Sequence, residues 1–208
     1  MRRTALVLTA IAALTACNPS APSAPAGGLF PDLSGSAYRA EALVTGQDGQ
    51  ASPMVMIRDG GRMRMEFASA QGHMIIVNTG TESFMITQQG GRAIAMRTDG
   101  GMQQDLTAQW QAELAATATH TGSCSGAGMS GAEWSSNADG VARTTCVTDN
   151  GVILRATENG RTTWETTSVQ VGPQDPNLFV LPPGVQVMDL GNMAGMTEAL
   201  EAAKQGRQ

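Results

Sequence analysis

The sequence predicts a mainly β fold of the α+β class, in which a curved, unclosed antiparallel sheet (a half-barrel) carries a helical segment on its concave face. Most of the chain after residue 36 reads as short strands separated by Gly pairs and Asx-Gly turns. A single internal segment departs from this pattern and has helical spacing. A long meander of consecutive strands must curl to protect its edges and its dry face.

The first half of the body predicts six strands at a spacing of about ten residues, which is typical of an antiparallel meander. Asp48-Gly49 and Asp59-Gly60-Gly61 supply hairpin turns between the first three. The predicted strands are residues 37–45, 54–58, 62–67, 73–78, 82–87 and 92–97.

The third of these strands alternates cleanly between apolar and charged residues. Met63, Met65 and Phe67 share one face, whereas Arg62, Arg64 and Glu66 share the other. Such alternation indicates a strand with one dry face and one wet face. We therefore interpret Arg64 and Glu66, together with Arg58 on the preceding strand, as solvated charges.

Residues 103–117 predict the helix, because Leu106, Trp110, Leu114 and Ala118 recur at a spacing of four. We expect Trp110 to anchor this helix to the sheet. A glycine-rich stretch, 122–131, interrupts the predicted strands, and we interpret residues 126–128 within it as a flexible loop. Strands are then expected at 133–135, 141–148, 152–158 and 161–171, an apolar patch at 178–184 that docks on the core, and a short helix at 196–204, which gives nine or ten strands in all.

The N-terminus has the pattern of an exported lipoprotein. Arg2 and Arg3 precede the uncharged, mostly apolar run 5–14. Ten helical residues rise about 15 Å against a bilayer core of about 30 Å, so the run suits a signal peptide and not a membrane span. Leu14-Thr15-Ala16-Cys17 resembles the bacterial lipobox, which implies cleavage after residue 16 and diacylglyceryl and acyl chains on Cys17.

We therefore divide the chain into a signal peptide (1–16), a lipidated cysteine with a Pro/Ser/Ala-rich spacer (17–36), a body (37–190) and a tail (191–208). The spacer favours an extended chain. Asn18 is not the Asp that tends to retain lipoproteins at the inner membrane, which favours a lipid anchor in the outer membrane facing the periplasm.

Charge and cysteine content narrow the function further. The chain has 13 Lys+Arg and 18 Asp+Glu, so removal of Arg2 and Arg3 leaves 11 against 18 and a net charge of −7. This balance disfavours nucleic-acid binding. Cys124 and Cys146 remain after Cys17 is lipidated, and in an oxidising compartment they most simply form a disulfide, although a free thiol stays open. Residues 122–126 match a G-x-C-x-G nucleophile elbow without the strand and helix which that motif requires.

Three motifs resemble the LolA/LolB-like outer-membrane lipoprotein-carrier superfamily, nearer its functionally unassigned periplasmic branch. Residues 61–66 resemble its G-x-x-R-x-E strand, residues 146–155 its C-x-T-x-x-G-x-x-L-R hairpin, and residues 175–184 its D-P-x-L-F-x-L-P-x-G ending. The resemblance spans about residues 37–187. It implies an unclosed antiparallel sheet whose helix-plugged hollow holds acyl chains, and lipid anchoring is a feature shared with LolB.

The favoured hypothesis is a non-enzymatic, membrane-anchored protein that binds a lipid or an acylated protein and needs no cofactor or metal. Methionine suits a surface that repacks around variable apolar shapes. One alternative is a structural or interaction lipoprotein with a filled core, which a pocket under about 300 Å³ would favour. A minor alternative is a methionine-based Cu(I) binder, in which His73 would be a further ligand. The predicted hydrophobic ligand face comprises Met54, Met56, Met63, Met65, Phe67, Ile76 and Trp110.

Overall fold

The computed structural model describes residues 29–69, 72–89, 92–98, 106–138 and 140–189. The predicted signal peptide, Cys17, the start of the predicted spacer and the predicted helix at 196–204 lie outside the described residues. In the described part of the chain, no helix is both long enough and apolar enough to cross a bilayer.

The described residues form twelve strands, one α-helix (α1, Leu106–Thr117) and a single 3-10 turn (Pro176–Phe179). The helix agrees with the predicted segment. The strands are β1 Tyr38–Thr45, β2 Ala51–Asp59, β3 Arg62–Ser69, β4 Gly72–Asn78, β5 Ser83–Gln89, β6 Arg92–Arg97, β7 Thr119–Gly126, β8 Met129–Ala138, β9 Val141–Val147, β10 Ile153–Glu158, β11 Arg161–Val171 and β12 Gln186–Asp189.

All twelve strands belong to one sheet in the order β12-β6-β5-β4-β3-β2-β1-β11-β10-β9-β8-β7. Two antiparallel meanders, β1 to β6 and β7 to β11, are joined where β1 pairs with β11. The short β12 adds to β6 in parallel. The sheet is not closed into a barrel, and the helix packs on its concave side, so the predicted fold class is confirmed.

The two faces of the sheet bury separate apolar clusters. The concave face carries the larger cluster, which includes Met56, Met65, Leu114 and Trp164 and is covered by α1 and by the segment that precedes β1. The convex face carries a smaller cluster from β4, β5 and β6, formed by Ile75, Val77, Phe84, Ile86 and Ala95.

The predicted docking of the apolar segment 178–184 occurs on the convex face. Leu181 and Val185 pack against the smaller cluster, and Phe179 is buried. The guanidinium carbon of Arg62 lies 4.9 Å from the centre of the Phe179 ring, within cation–π range. Asp175 caps the 3-10 turn by accepting from the backbone N–H of Asn177 at 2.9 Å.

The interpretation of Arg58, Arg64 and Glu66 as solvated charges is wrong for two of the three. Arg58 is only 1% exposed and lies on the concave side of β2, where it is paired with Met63 of β3. Arg64 donates to Glu66 at 2.6 Å and to the Leu178 carbonyl at 3.2 Å. Because alternation shows which face a residue occupies but not what covers that face, the sequence did not reveal either burial.

The expected interruption of the strands over 122–131 is also wrong, since these residues form most of the β7–β8 hairpin and only 127–128 lie outside its strands. The hairpin turns at Ala127 and Gly128, both with positive φ. A Cβ on Gly131 would lie 2.5 Å from the Val147 carbonyl oxygen, so glycine here permits a close approach of β8 to β9. The sequence did not predict strands β7 and β12. The small residues of β7 show no apolar alternation, and β12 is only four residues long.

Candidate functional site

The strand register places every methionine of β2 to β6 on the concave face. Met56, Met65, Ile76, Met85 and Met96 follow one another as directly paired residues across five neighbouring strands. Directly opposed residues of antiparallel strands point to the same side of a sheet. The remaining members of this face, by the same pairing and by alternation along β3, are Met54, Met63, Phe67 and Met74.

A cavity of about 250 Å³ opens on this face between α1, the β1–β3 strands and the β10–β11 hairpin. Its interior is apolar and aromatic, formed by Val44, Met54, Met56, Met65, Phe67, Trp110 and Trp164. Its rim is polar and stands near two hairpin turns, with contributions from Thr45, Gly46, Gln47, Glu158, Arg161 and Thr163. Because Gly46, Gln47 and Arg161 are exposed, this end of the cavity meets solvent.

Five of the seven residues that the sequence singled out line this cavity, namely Met54, Met56, Met65, Phe67 and Trp110. The other two, Met63 and Ile76, are buried in the same concave cluster but do not line it. Sequence reasoning missed Trp164 and the whole polar rim. The Asp48-Gly49 and Asn159-Gly160 turns, which lie next to the rim residues, were visible in the sequence. Only the pairing of β1 with β11 brings the strands that flank these turns together.

Helix α1 covers the cavity through contacts with several elements. The Trp110 and Trp164 rings meet edge to face, with centroids 5.9 Å apart and planes at 75°. The Leu33 backbone N–H donates to the Gln111 side-chain oxygen at 2.8 Å, and Leu114 is buried in the concave cluster. Trp110 therefore anchors the helix to the sheet and lines the cavity at the same time.

An ion triad ties α1 to the sheet beside the cavity. Arg143 on β9 contacts Glu113 of α1 at 2.5 Å and Glu158 of β10 at 3.1 Å. The hydrogen bond from Arg143 to Glu158 is the main reason that the pKa of Arg143 is raised, and Glu113 adds to it. A small space of about 20 Å³, enough for one water molecule, adjoins the triad and shares Trp110, Glu158 and Thr163 with the larger cavity.

The other end of the concave face, near the start of β1, is closed by polar contacts. Tyr38 donates to the Met56 sulfur at 3.2 Å, and Arg58 to the Met63 sulfur at 3.5 Å. Asp32 accepts from the hydroxyl and backbone N–H of Ser34, and these bonds, with a smaller contribution from Arg58, lower its carboxyl pKa. A Cβ on Gly151 would collide with the Asp32 carbonyl oxygen, so glycine lets the β9–β10 turn approach this segment.

Cys124 and Cys146 form a disulfide with an S–S distance of 1.99 Å. Cys124 lies on β7 and Cys146 on β9, so the bridge spans the intervening β8. In this state neither sulfur is a nucleophile, and Cys124 lies within a strand rather than on a strand-to-helix turn.

The two described histidines lie away from the cavity lining. His73 is exposed on β4, whereas the ring of His120 packs 5.3 Å from that of Trp134. Within the described ranges, no three His, Cys, Asp or Glu residues are placed to hold a metal ion. The three methionines that line the cavity therefore share it with no histidine.

No protein-family model and no curated protein matches the sequence. A structure of a conserved protein from Thermus thermophilus matches with a TM-score of 0.52 and 10% identity over 74% of this chain and 91% of that chain. A structure of MucB matches with a TM-score of 0.50 and 12% identity over 75% and 61%. A structure of PNGF-II matches with a TM-score of 0.44 and 13% identity over 74% of this chain, which spans only 31% of that chain.

At 10% and 12% identity, the likeness to the Thermus protein and to MucB is one of fold. Both matches cover about three quarters of this chain. The chain is therefore similar in fold to these two proteins.

Proposed function

We propose that this chain is a non-enzymatic periplasmic protein that binds an apolar ligand, an acyl chain or an acylated molecule, in the concave cavity. The observation that carries the proposal is the cavity of about 250 Å³ lined by three methionines and three aromatic side chains. Unbranched thioether side chains adapt to irregular apolar shapes. The resemblance to the LolA/LolB-like superfamily, in which such a hollow holds acyl chains, agrees with this proposal.

The cavity volume limits what can bind. A dry cavity of about 150 Å³ holds benzene, so about 250 Å³ suits on the order of ten carbon atoms. A longer chain would continue along the half-buried methionines of β4 to β6, Met74, Met85 and Met96. The lipid anchor on Cys17 and the outer-membrane location remain parts of this proposal, with the disulfide as support for an oxidising compartment.

Two matched valine substitutions test the site. Val44 lines the cavity, whereas Val169 is also half-buried against the same cluster but does not line it. Val44→Phe should fill the cavity and weaken binding of decanol at least tenfold, and Val169→Phe should leave binding unchanged. Native mass spectrometry and thermal shifts of the two variants measure this. Wild-type protein that neither retains lipid nor shifts its melting temperature with acyl ligands would refute the proposal.

A second candidate is a structural or interaction protein that works through its surface. The cavity volume agrees with this second candidate, because about 250 Å³ lies below the roughly 300 Å³ at which ligand pockets begin. In that case Val44→Phe would raise the melting temperature by filling space, with no ligand effect in either variant. A Cu(I) site on the cavity methionines is the minor alternative, and Cu(I) titration that leaves the methionine methyl NMR signals unmoved would exclude it.

A further inference from the structure

The polar rim of the cavity contains an arginine, Arg161, that forms no ion pair within the described part of the chain. Arg161 and Glu158 are directly paired residues of the β10–β11 hairpin, flanking its Asn-Gly turn. Opposite charges at such positions ordinarily pair with each other. Here Glu158 turns instead to Arg143, and Nη1 of Arg161 donates to the Gly46 carbonyl at 2.9 Å.

Arg161 therefore reaches across the mouth of the cavity, from β11 to the loop after β1. A guanidinium has five N–H donors, and the Gly46 carbonyl uses one. Among the described residues, no carboxylate lies within ion-pair distance of Arg161, and Glu158, the acid nearest in the ladder, is engaged by Arg143. The remaining donors can receive an anion without breaking an existing ion pair.

The interior behind Arg161 has the opposite chemistry. Thr163 and Trp164 follow Arg161 on β11, and Trp164 contacts Trp110 across the cavity. Val44 and Met54 continue the apolar surface on β1 and β2. A ligand with one charged end and one apolar end fits this arrangement, with the charged end at the solvent-facing rim.

We infer that the ligand is a single-chain amphiphile with an anionic head group, which Arg161 binds at the rim while its chain lies between the tryptophans and the methionines. This inference rests on the proposed function and adds the class of head group. A carboxylate and a phosphate monoester both match the fork of a guanidinium. Arg161 acts as the residue that determines head-group specificity.

Brominated ligands provide the test because a terminal bromine that reaches the interior quenches Trp110 and Trp164. The full chain in lipid nanodiscs would be titrated with 10-bromodecanoate, 10-bromodecyl phosphate and uncharged 10-bromodecanol. Arg161→Gln should weaken binding of both anions about fivefold, as expected for a solvent-facing charge pair. It should leave the affinity for 10-bromodecanol unchanged. Arg161→Lys should restore part of the affinity. A loss confined to decanoate or to decyl phosphate supports the inference and identifies the head group.

Arg155→Gln is the control, since Arg155 is an exposed arginine on the neighbouring β10 that does not line the cavity and contacts Glu133 at 4.0 Å. It should leave all three titrations unchanged, and melting temperatures of both variants should equal that of the wild type. Equal affinities of wild type and Arg161→Gln for the anions would overturn the head-group inference and leave the proposed function intact. Quenching by none of the three ligands in the wild type would overturn both.

Discussion

The two faces of the sheet are both covered, yet they are built from different side chains. The concave face of β2 to β6 carries all the methionines of those strands and encloses a cavity. The convex face of the same strands carries Ile75, Val77 and Ile86 with Phe84, closed by the segment that holds Phe179. β-branched side chains have few rotamers, whereas methionine has three rotatable bonds beyond its backbone.

This difference indicates that the two coverings have different roles. On the convex face, stiff side chains and a buried phenylalanine fix one packing arrangement, which contributes stability. On the concave face, flexible side chains border a space that the covering helix does not fill. An unfilled cavity lowers stability, so a face that served only for packing would be more stable with larger side chains. The contrast between the faces therefore supports ligand binding on the concave side.

The largest expected effect is on the convex covering. Phe179→Ala should lower the free energy of unfolding by about 3–5 kcal/mol, because it removes a ring that is 1% exposed and leaves the Arg62 guanidinium without its cation–π partner. Urea denaturation measures this. Val180→Ala, at a neighbouring residue that is 52% exposed, is the control and should cost under about 0.5 kcal/mol. A small effect of Phe179→Ala would mean that the convex covering is not essential.

A matched pair of truncations compares the faces directly. Ile86→Ala on the convex face should cost about 4 kcal/mol and Met65→Ala on the concave face about 2 kcal/mol, although both side chains are fully buried. Met65 borders an existing cavity and therefore loses fewer contacts. Chemical denaturation of both variants without ligand measures the difference. Equal costs, or a larger cost for Met65→Ala, would contradict the contrast between the faces.

The attachment of α1 should respond to loss of its ion triad. Arg143→Gln should cost about 1 kcal/mol, because both contacts are partly exposed and screened by solvent. Amide exchange of α1 should accelerate more than that of β9, which hydrogen-deuterium exchange can measure. Arg155→Gln is the control, because it removes an ion pair, Arg155–Glu133 at 4.0 Å, that does not involve α1. Unchanged exchange in α1 would show that Trp110 and Leu114 suffice to hold it.

The smallest expected effect concerns pH and the end of the concave face near Asp32. The pKa of this carboxyl is lowered in the folded state, so its contribution to stability is present above the unfolded value near 3.8 and is lost as the pH falls through the folded value. Asp32→Asn should therefore cost under about 0.5 kcal/mol at pH 7, since the group is exposed. Thermal unfolding of both proteins at pH 7 and at successively lower pH should show the gap closing as the acid protonates Asp32 in the folded state. A gap that widens in acid would contradict the assigned cause.

Much of the fold could be predicted from the sequence, because most strands alternate and are separated by Asx-Gly turns. The alternation of β3 placed Met63, Met65 and Phe67 on one face, and spacing by four placed Trp110 and Leu114 on one side of α1. The prediction failed where side chains carry little pattern. The β7 segment, rich in Thr, Ser and Gly, gave the signal of a loop, although β8 and the Cys124–Cys146 disulfide hold it in the sheet.

The sequence by itself determined which side chains share a face, because alternation is a local property of an extended chain. Only the tertiary structure decided what covers each face, and therefore which residues line a cavity. Arg161 meets Gly46 across 115 residues, and Arg64 meets Leu178 across 114. Such contacts follow from the closure of long loops and the pairing of β1 with β11, which no local pattern encodes. For this reason the apolar lining could be predicted from the sequence, whereas the charged rim, with Arg161 at its mouth, could not.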